Sequence, residues 1–222
     1  MSDATVVAVD GPAGSGKSSV ARAVARRLGF QFLDTGAAYR ALAWLVLEQG
    51  GDTDHEPTVV EALGALGTLD LTLDPTGQRV AIAGHDVTAE IRSERISAAV
   101  SGVARTLPAR GAVNERFRAI IDRAEPGIVA EGRDITTVVA PDADVRVLLT
   151  ADQTVRIRRR FGDVGGDEFQ VGARLAARDA SDSKVIDFLT AADGVTVIDS
   201  THLTFDETVE AIVRLVTEES HD

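Results

Sequence analysis

Residues Gly11-Pro12-Ala13-Gly14-Ser15-Gly16-Lys17-Ser18 satisfy the pattern G-x-x-x-x-G-K-[S/T]. Gly11, Gly14 and Gly16 leave room for backbone N–H groups to converge on phosphate oxygens. Lys17 is placed to reach the β- and γ-phosphates of a nucleoside triphosphate, and the Ser18 hydroxyl to hold Mg²⁺. Ser19 continues the same turn. The flanking sequence suits this chemistry. TVVAVD (5–10) is an apolar run of the kind buried in a parallel sheet, and Val20, Val24 and Leu28 then recur at helical spacing until Gly29. A helix that begins at Gly16–Lys17 adds its N-terminal dipole to the phosphate site. The combination points to ATP phosphates with Mg²⁺.

Further on, LDTGAAYR (33–40) delivers a hydroxyl, a glycine and an arginine at the end of a second strand, FQFLD (30–34). Arg40 can grip a phosphate with a two-pronged fork, and Thr35 can add a neutral hydrogen bond. On residue types alone, the segment is equally a strand-to-helix turn with a solvated arginine. Arg156, Arg158, Arg159 and Arg160 crowd together, and Arg174 and Arg178 follow. Such a cluster repels itself unless anions visit it. On a chain of net charge −12 it suits small polyanions and argues against a broad nucleic-acid surface.

The chain of 222 residues is 44% hydrophobic and 26% charged, as expected of a single globular domain. Without cysteine, it has neither disulfides nor a thiolate metal site. His55, His85, His202 and His221 show no ligand spacing, and none reads as catalytic. No run approaches the roughly 18 apolar residues of a membrane helix. The N-terminus lacks the basic-then-apolar order of a signal peptide, so a cytoplasmic location and no membrane partner are expected. Guanine-specific GTPases read their base with Asn-Lys-x-Asp, and the single asparagine here, Asn114, lies in NERF. That element is therefore absent, and a small-molecule kinase is favoured over a switch GTPase or a larger ATP-driven motor.

Strands at 5–10, 30–34, 127–132, 145–151 and 194–199 alternate with helical sequence, which reads as α/β with a parallel central sheet. Residues 68–88 break the rhythm. TLDLTLD and RVAIAGHDV flank the turn Asp74-Pro75-Thr76-Gly77, an antiparallel excursion. Helices are expected over about 37–49, 90–106 and 108–124, and Phe205, Val209, Ile212, Val213 and Val216 define a last amphipathic one. Trp44 and Phe32 read as core. Asp142 and Asp144 read as shapers of a turn.

The segments VAVDGPAGSGKSSVARAVARRLG, LDTGAAYR, GHDVTAEIRSERIS, VAEGRDITTVVAPDADVRVLLTA, and RDASDSK followed by VIDST span nearly the whole chain. Together they resemble the bacterial cytidylate kinases, in the nucleoside monophosphate kinase group. The resemblance implies a three-layer P-loop kinase fold, adenylate-kinase-like, with a parallel central sheet, a small antiparallel insert in the acceptor-binding region and a short lid. It implies one domain over 1–222. The core would cover about 1–35, 108–155 and 185–222, the acceptor region about 36–107, and the lid about 156–184. The implied reaction moves the γ-phosphoryl of ATP to CMP or dCMP, with Mg²⁺, in a monomer. Acting on UMP, or on a small metabolite as shikimate kinases do, is the alternative within this reaction class. A nucleotide-binding regulator with little transfer is the alternative outside it.

Residue by residue, Thr35, Tyr39 and Arg40 match positions around the acceptor phosphate and sugar, Ser101 a reader of the cytosine edge, and Arg110 an acceptor-phosphate arginine. Arg133 and Asp134 match a phosphate-binding arginine and a sugar-contacting aspartate, and Arg178 and Asp182 a pair that contacts bound nucleotide. Arg156–Arg160 match the start of the lid, with Arg158 expected on the ATP phosphates. Three departures stand out. Lys184 is the cation available where the family carries an arginine, a point charge for a planar fork. The stretch from Arg160 to Arg174 is short and glycine-rich. Thr136 stands where the family usually has glycine. Lys17, Arg133, Arg178 and Lys184 are the expected catalytic cations.

Overall fold

The computed structural model describes residues 4–183 and 189–219. The chain gathers into two compact units, one of residues 1–32 with 124–222, the other of residues 33–123.

The first unit is built on β1 (Thr5–Asp10), β6 (Gly127–Gly132), β7 (Val145–Thr150) and β8 (Thr196–Asp199). With β2 (Gln31–Asp34), within which the chain passes to the second unit, they form a five-stranded sheet in the order β2-β6-β1-β7-β8. β1 runs parallel to β6 on one side and to β7 on the other, with Val7 opposite Val129 and Val145, and β7 runs parallel to β8. A central strand has no solvated face, which is why β1 and β6 read as unbroken apolar runs. α1 (Lys17–Leu28) and α8 (Phe205–Glu219) supply Val20, Val24, Val209, Ile212, Val213 and Val216 to the core around Val7, Val9, Val147 and Leu149. Each such side chain contributes about 1.5–3 kcal/mol on burial. β6 continues into a short π-helical turn, Ile135–Val139. α6 (Gln153–Val164) and α7 (Glu168–Asp182) are capped at their N-termini by Asp152 and Asp167.

The second unit opens with α2 (Thr35–Glu48), capped by Asp34, which accepts from the Ala37 N–H at 2.8 Å. α3 (Glu56–Ala62) and a 3₁₀ turn at Leu63–Thr68 follow. Sequence patterning marks no element here, because a seven-residue helix is too short for its apolar period to stand out. The antiparallel excursion is present as β3 (Asp70–Leu71), β4 (Val80–Ile82) and β5 (His85–Asp86). Its turn closes through Asp74, whose carboxylate accepts from the Thr76 N–H and hydroxyl. The single helix expected over 90–106 is a 3₁₀ turn, Glu90–Arg92, followed by α4 (Glu94–Arg105). Ser93 divides them because it is extended, and its hydroxyl caps α4. α5 (Leu107–Ile121) starts with Pro108 in its first turn, where a missing N–H costs nothing. Among the described residues no helix is long and apolar enough to cross a membrane.

Candidate functional site

The glycine-rich loop joins β1 to α1, and tertiary contacts dictate two of its glycines. A Cβ on Gly11 would lie 2.2 Å from the Leu149 carbonyl oxygen of β7. One on Gly14, whose φ is +76°, would lie 2.7 Å from the Arg156 carbonyl oxygen. Neither backbone can yield cheaply.

The loop's carbonyls are held by cations. Lys17 Nζ donates to the Pro12 carbonyl at 3.3 Å, and Arg133 Nη1 to the Gly11 carbonyl at 2.6 Å. Arg156 Nη1 donates to the Ala13 carbonyl at 3.0 Å, and Arg159 Nη1 to the Ser15 carbonyl at 3.1 Å. With these carbonyls committed, and the Ala13 and Ser15 N–H groups donating to Asp179 Oδ1 and the Pro12 carbonyl, the loop's other N–H groups are left to define an anion cradle. The Ser15 hydroxyl is buried and has no hydrogen-bond partner among the described residues. A phosphate oxygen would supply the missing partner, so the loop fits the triphosphate expected from its sequence.

Lys17 is held down to about 8 by burial first and by the Arg133 guanidinium next. Glu131 opposes that shift, Arg178 adds to it and Asp10 opposes it. Ser18 Oγ donates to Glu131 Oε1 at 2.7 Å, and Glu131 is only 3% exposed. Among the described residues no group of three or more His, Cys, Asp or Glu could hold a metal. Mg²⁺ needs no such group, because one or two protein ligands suffice beside phosphate oxygens. The Ser18 hydroxyl and the Glu131 carboxylate are a donor set of that kind.

Asp10, at the end of β1, accepts from the Ile135 N–H, the Thr136 N–H and the Thr136 hydroxyl at 2.7–2.9 Å. Burial pushes its carboxyl up, against the lowering effect of those bonds. Thr136 thus has a function here that glycine could not perform. Thr136→Val should lower unfolding free energy by about 1–3 kcal/mol, read from denaturant titration, by leaving a buried carboxylate short of a donor. Asp144 accepts from the Val6 N–H at 2.7 Å, so it ties its turn to strand β1, a long-range contact and not the local turn-shaping expected from the sequence.

The other first-unit residues expected at the site fall as follows. Arg133 Nη2 lies 3.1 Å from Asp182 and 3.8 Å from Asp179, and Arg178 Nε lies 3.8 Å from Asp182. Asp134 is buried and precedes the turn at Ile135. Ser19 is exposed on α1, and Arg158 is exposed on α6, whereas its neighbours Arg156 and Arg159 touch the loop. Lys184 lies outside the described residues.

In the second unit, Thr35 is buried in the first turn of α2. Arg40 Nη2 donates to both oxygens of Asp34 at 3.1 and 3.0 Å, and Arg92 Nη2 reaches the same carboxylate at 3.4 Å. Gly36 leaves space for this pair, since a Cβ there would lie 2.9 Å from Arg40 Nη1. Tyr39 Oη donates to Asn114 Oδ1 at 3.3 Å, and its ring meets Phe117 edge-on. Ser101 is partly buried on α4, beside Gly102, whose missing side chain admits the Thr53 carbonyl. Arg110 is buried on α5 and donates to the Ala104 carbonyl at 3.2 Å.

Sequence reasoning missed Asp10, Glu131, Arg92 and Asp179. Only Glu131 carried a signal, an acidic residue at the end of the apolar run GIVAEG.

The cytidylate kinase family model matches residues 7–218. A cytidylate kinase of Cutibacterium acnes is 47% identical over 214 residues, which cover 95% of each chain. One of Streptomyces avermitilis is 40% identical over 217 residues, or 97% of this chain and 94% of that one. Among solved structures, an uncharacterized protein from Eubacterium ventriosum superposes with a TM-score of 0.53 at 12% identity, covering 96% of this chain and 98% of the other, a likeness of fold alone. A phosphate loop braced by arginines, a Ser18 hydroxyl bonded to the buried Glu131 and near full-length similarity agree on one assignment: the chain belongs to the cytidylate kinase family.

Proposed function

We propose that this protein transfers the γ-phosphoryl group of ATP to CMP and dCMP, giving ADP and the corresponding diphosphate. The observation that carries the reading is the phosphate loop, with its carbonyls held by cations and Ser15 Oγ unpartnered among the described residues. It stands in a chain whose family match runs from residue 7 to 218.

The acceptor atom is a phosphate oxygen, already anionic near neutral pH, so no general base is needed. Alignment and charge stabilisation carry the catalysis. Gly11 to Ser19 hold the donor, with Lys17 neutralising its β- and γ-phosphates. Ser18 and Glu131 would hold Mg²⁺, which when bound neutralises donor oxygens. Arg133, Arg178 and Lys184 supply further positive charge for the migrating group, and Asp134 and Asp182 contact nucleotide. In the second unit, Thr35, Tyr39 and Arg40 take the acceptor phosphate and sugar, with Arg110 on the phosphate and Ser101 on the cytosine edge. Residues 156–184 act as a lid, with Arg158 turned to ATP on closure, which excludes water that would otherwise hydrolyse ATP.

A phosphorylation assay with ATP, Mg²⁺ and a panel of CMP, dCMP, UMP, AMP and GMP tests the reading. CMP and dCMP should turn over fastest. Faster turnover of AMP or UMP would overturn the assignment, and nucleotide binding without any turnover would favour a regulator. In the same panel Ser101→Ala should narrow the CMP-over-UMP preference by about tenfold, the weight of one lost polar contact to the base. Equal losses for CMP and UMP would remove Ser101 as the cytosine reader.

A further inference from the structure

Ala13 is restrained from three directions. Its N–H donates to Asp179 Oδ1 at 3.2 Å, across 166 residues of sequence. Its carbonyl accepts from Arg156 Nη1 at 3.0 Å, and the same nitrogen lies 2.5 Å from Asp179 Oδ2. Its methyl group packs in a small apolar cluster with Val171 and Leu175, against which Ile157 also rests. Val171, Leu175 and Asp179 recur every four residues, so one stripe of α7 faces Ala13, apolar for two turns and then anionic. Asp179 is 9% exposed, and Arg133, which holds the Gly11 carbonyl, lies 3.8 Å from it.

We propose that Asp179 is a positioning residue for ATP binding: with Arg156 it clamps both ends of the Ala13 backbone and so holds the phosphate loop in its anion-accepting form. The physical reason is the loop's composition. A turn containing Gly11, Gly14 and Gly16 has many backbone states in isolation, and a phosphate that had to select one would bind at the cost of ordering the rest. Asp179 removes that freedom before ATP arrives. It touches a loop N–H and two arginines, not the reacting atoms. α7 is therefore a brace for the donor site, and its sequence signature is a V-x-x-x-L-x-x-x-D stripe (171–179). This inference rests on the loop as the ATP-phosphate site.

The test compares wild type with Asp179→Ala and Asp179→Asn, in ¹⁵N-labelled unliganded protein and in steady-state assays. In Asp179→Ala, the Ala13 amide proton should move upfield as its acceptor is lost. The KM for ATP should rise about tenfold, while the KM for CMP changes less than about twofold. Asn keeps an oxygen for the Ala13 N–H, so Asp179→Asn should restore most of the amide shift and bring the KM for ATP within about threefold of wild type. If Asp179→Ala does not fold, the Asn variant still decides through these two readouts. An unmoved Ala13 amide in Asp179→Ala would overturn the proposal. So would equal rises in both KM values, or no rescue by Asn. Failure of the ATP site itself would appear separately, as ATP binding untouched by Lys17→Ala while the Ala13 amide still responds to Asp179.

Discussion

Lys17→Ala should lower kcat about a hundred- to a thousandfold while circular dichroism and CMP binding stay close to wild type. A fixed charge aimed at developing negative charge is worth about 2.7–4 kcal/mol of barrier, and each 1.36 kcal/mol is a factor of ten. Near-normal turnover would remove Lys17 from the mechanism. Its protonation adds a second, independent readout. Burial, then Arg133, hold the free-enzyme amine down to about 8. Phosphates bind the charged form, so the KM for ATP should climb as pH rises through 8, by up to about tenfold per unit. Lys17→Arg keeps its charge over this range and should flatten the climb. The effect on folding has the opposite sign. Between about 8 and the ordinary 10.5, the unfolded chain holds the Lys17 proton more tightly. This group therefore adds stability as pH rises through that window.

Gly11→Ala is expected to have the other large effect, on both stability and ATP affinity. The new Cβ would lie 2.2 Å from the Leu149 carbonyl oxygen and 3.1 Å from Ser15 Oγ. Relief requires the loop or strand β7 to shift, and β7 is fixed by Val145, Val147 and Leu149 in the core. Overpacking of this kind costs about 3 kcal/mol. Because the loop carries the donor N–H groups, the same shift should weaken ATP binding at least about tenfold. Calorimetric melting and titration with ATP measure the two losses. A variant that melts and binds like wild type would show that the close approach at Gly11 does not constrain the loop.

Much of this protein is legible in one dimension because its determinants are local. The unbroken apolar run of residues 5–10 and the period-four apolar pattern of residues 20–28 require a strand, a turn and a helix. GPAGSGKS states the chemistry of that turn through residue type and spacing alone. The buried run GIVAEG became β6 with the bounds read for it, because a strand enclosed on both faces has no polar alternation to blur its ends. The excursion at 68–88 was visible through Asp74-Pro75-Thr76-Gly77, where Asp74 accepts from Thr76 and Gly77 within the turn. Ser93 was less legible. Its extended backbone splits a helical pattern, and apolar periodicity carries no mark of a cap inside it.

What only the tertiary structure decided is how the site's charges are shared. Arg156, Arg158, Arg159 and Arg160 look alike as a run, yet helical phase sends Arg156 and Arg159 to the loop carbonyls and leaves Arg158 exposed. Asp179 reads as a polar helix residue until α7 brings it to Ala13, and Asp10 as the last residue of a strand until Thr136 closes on it. Contacts across more than a hundred residues leave no periodic trace, because hydrogen bonds and ion pairs depend on where two elements meet. The phosphate chemistry was therefore determined by residues 11–18 themselves, while the brace that holds those residues ready was determined by the packing of α6 and α7.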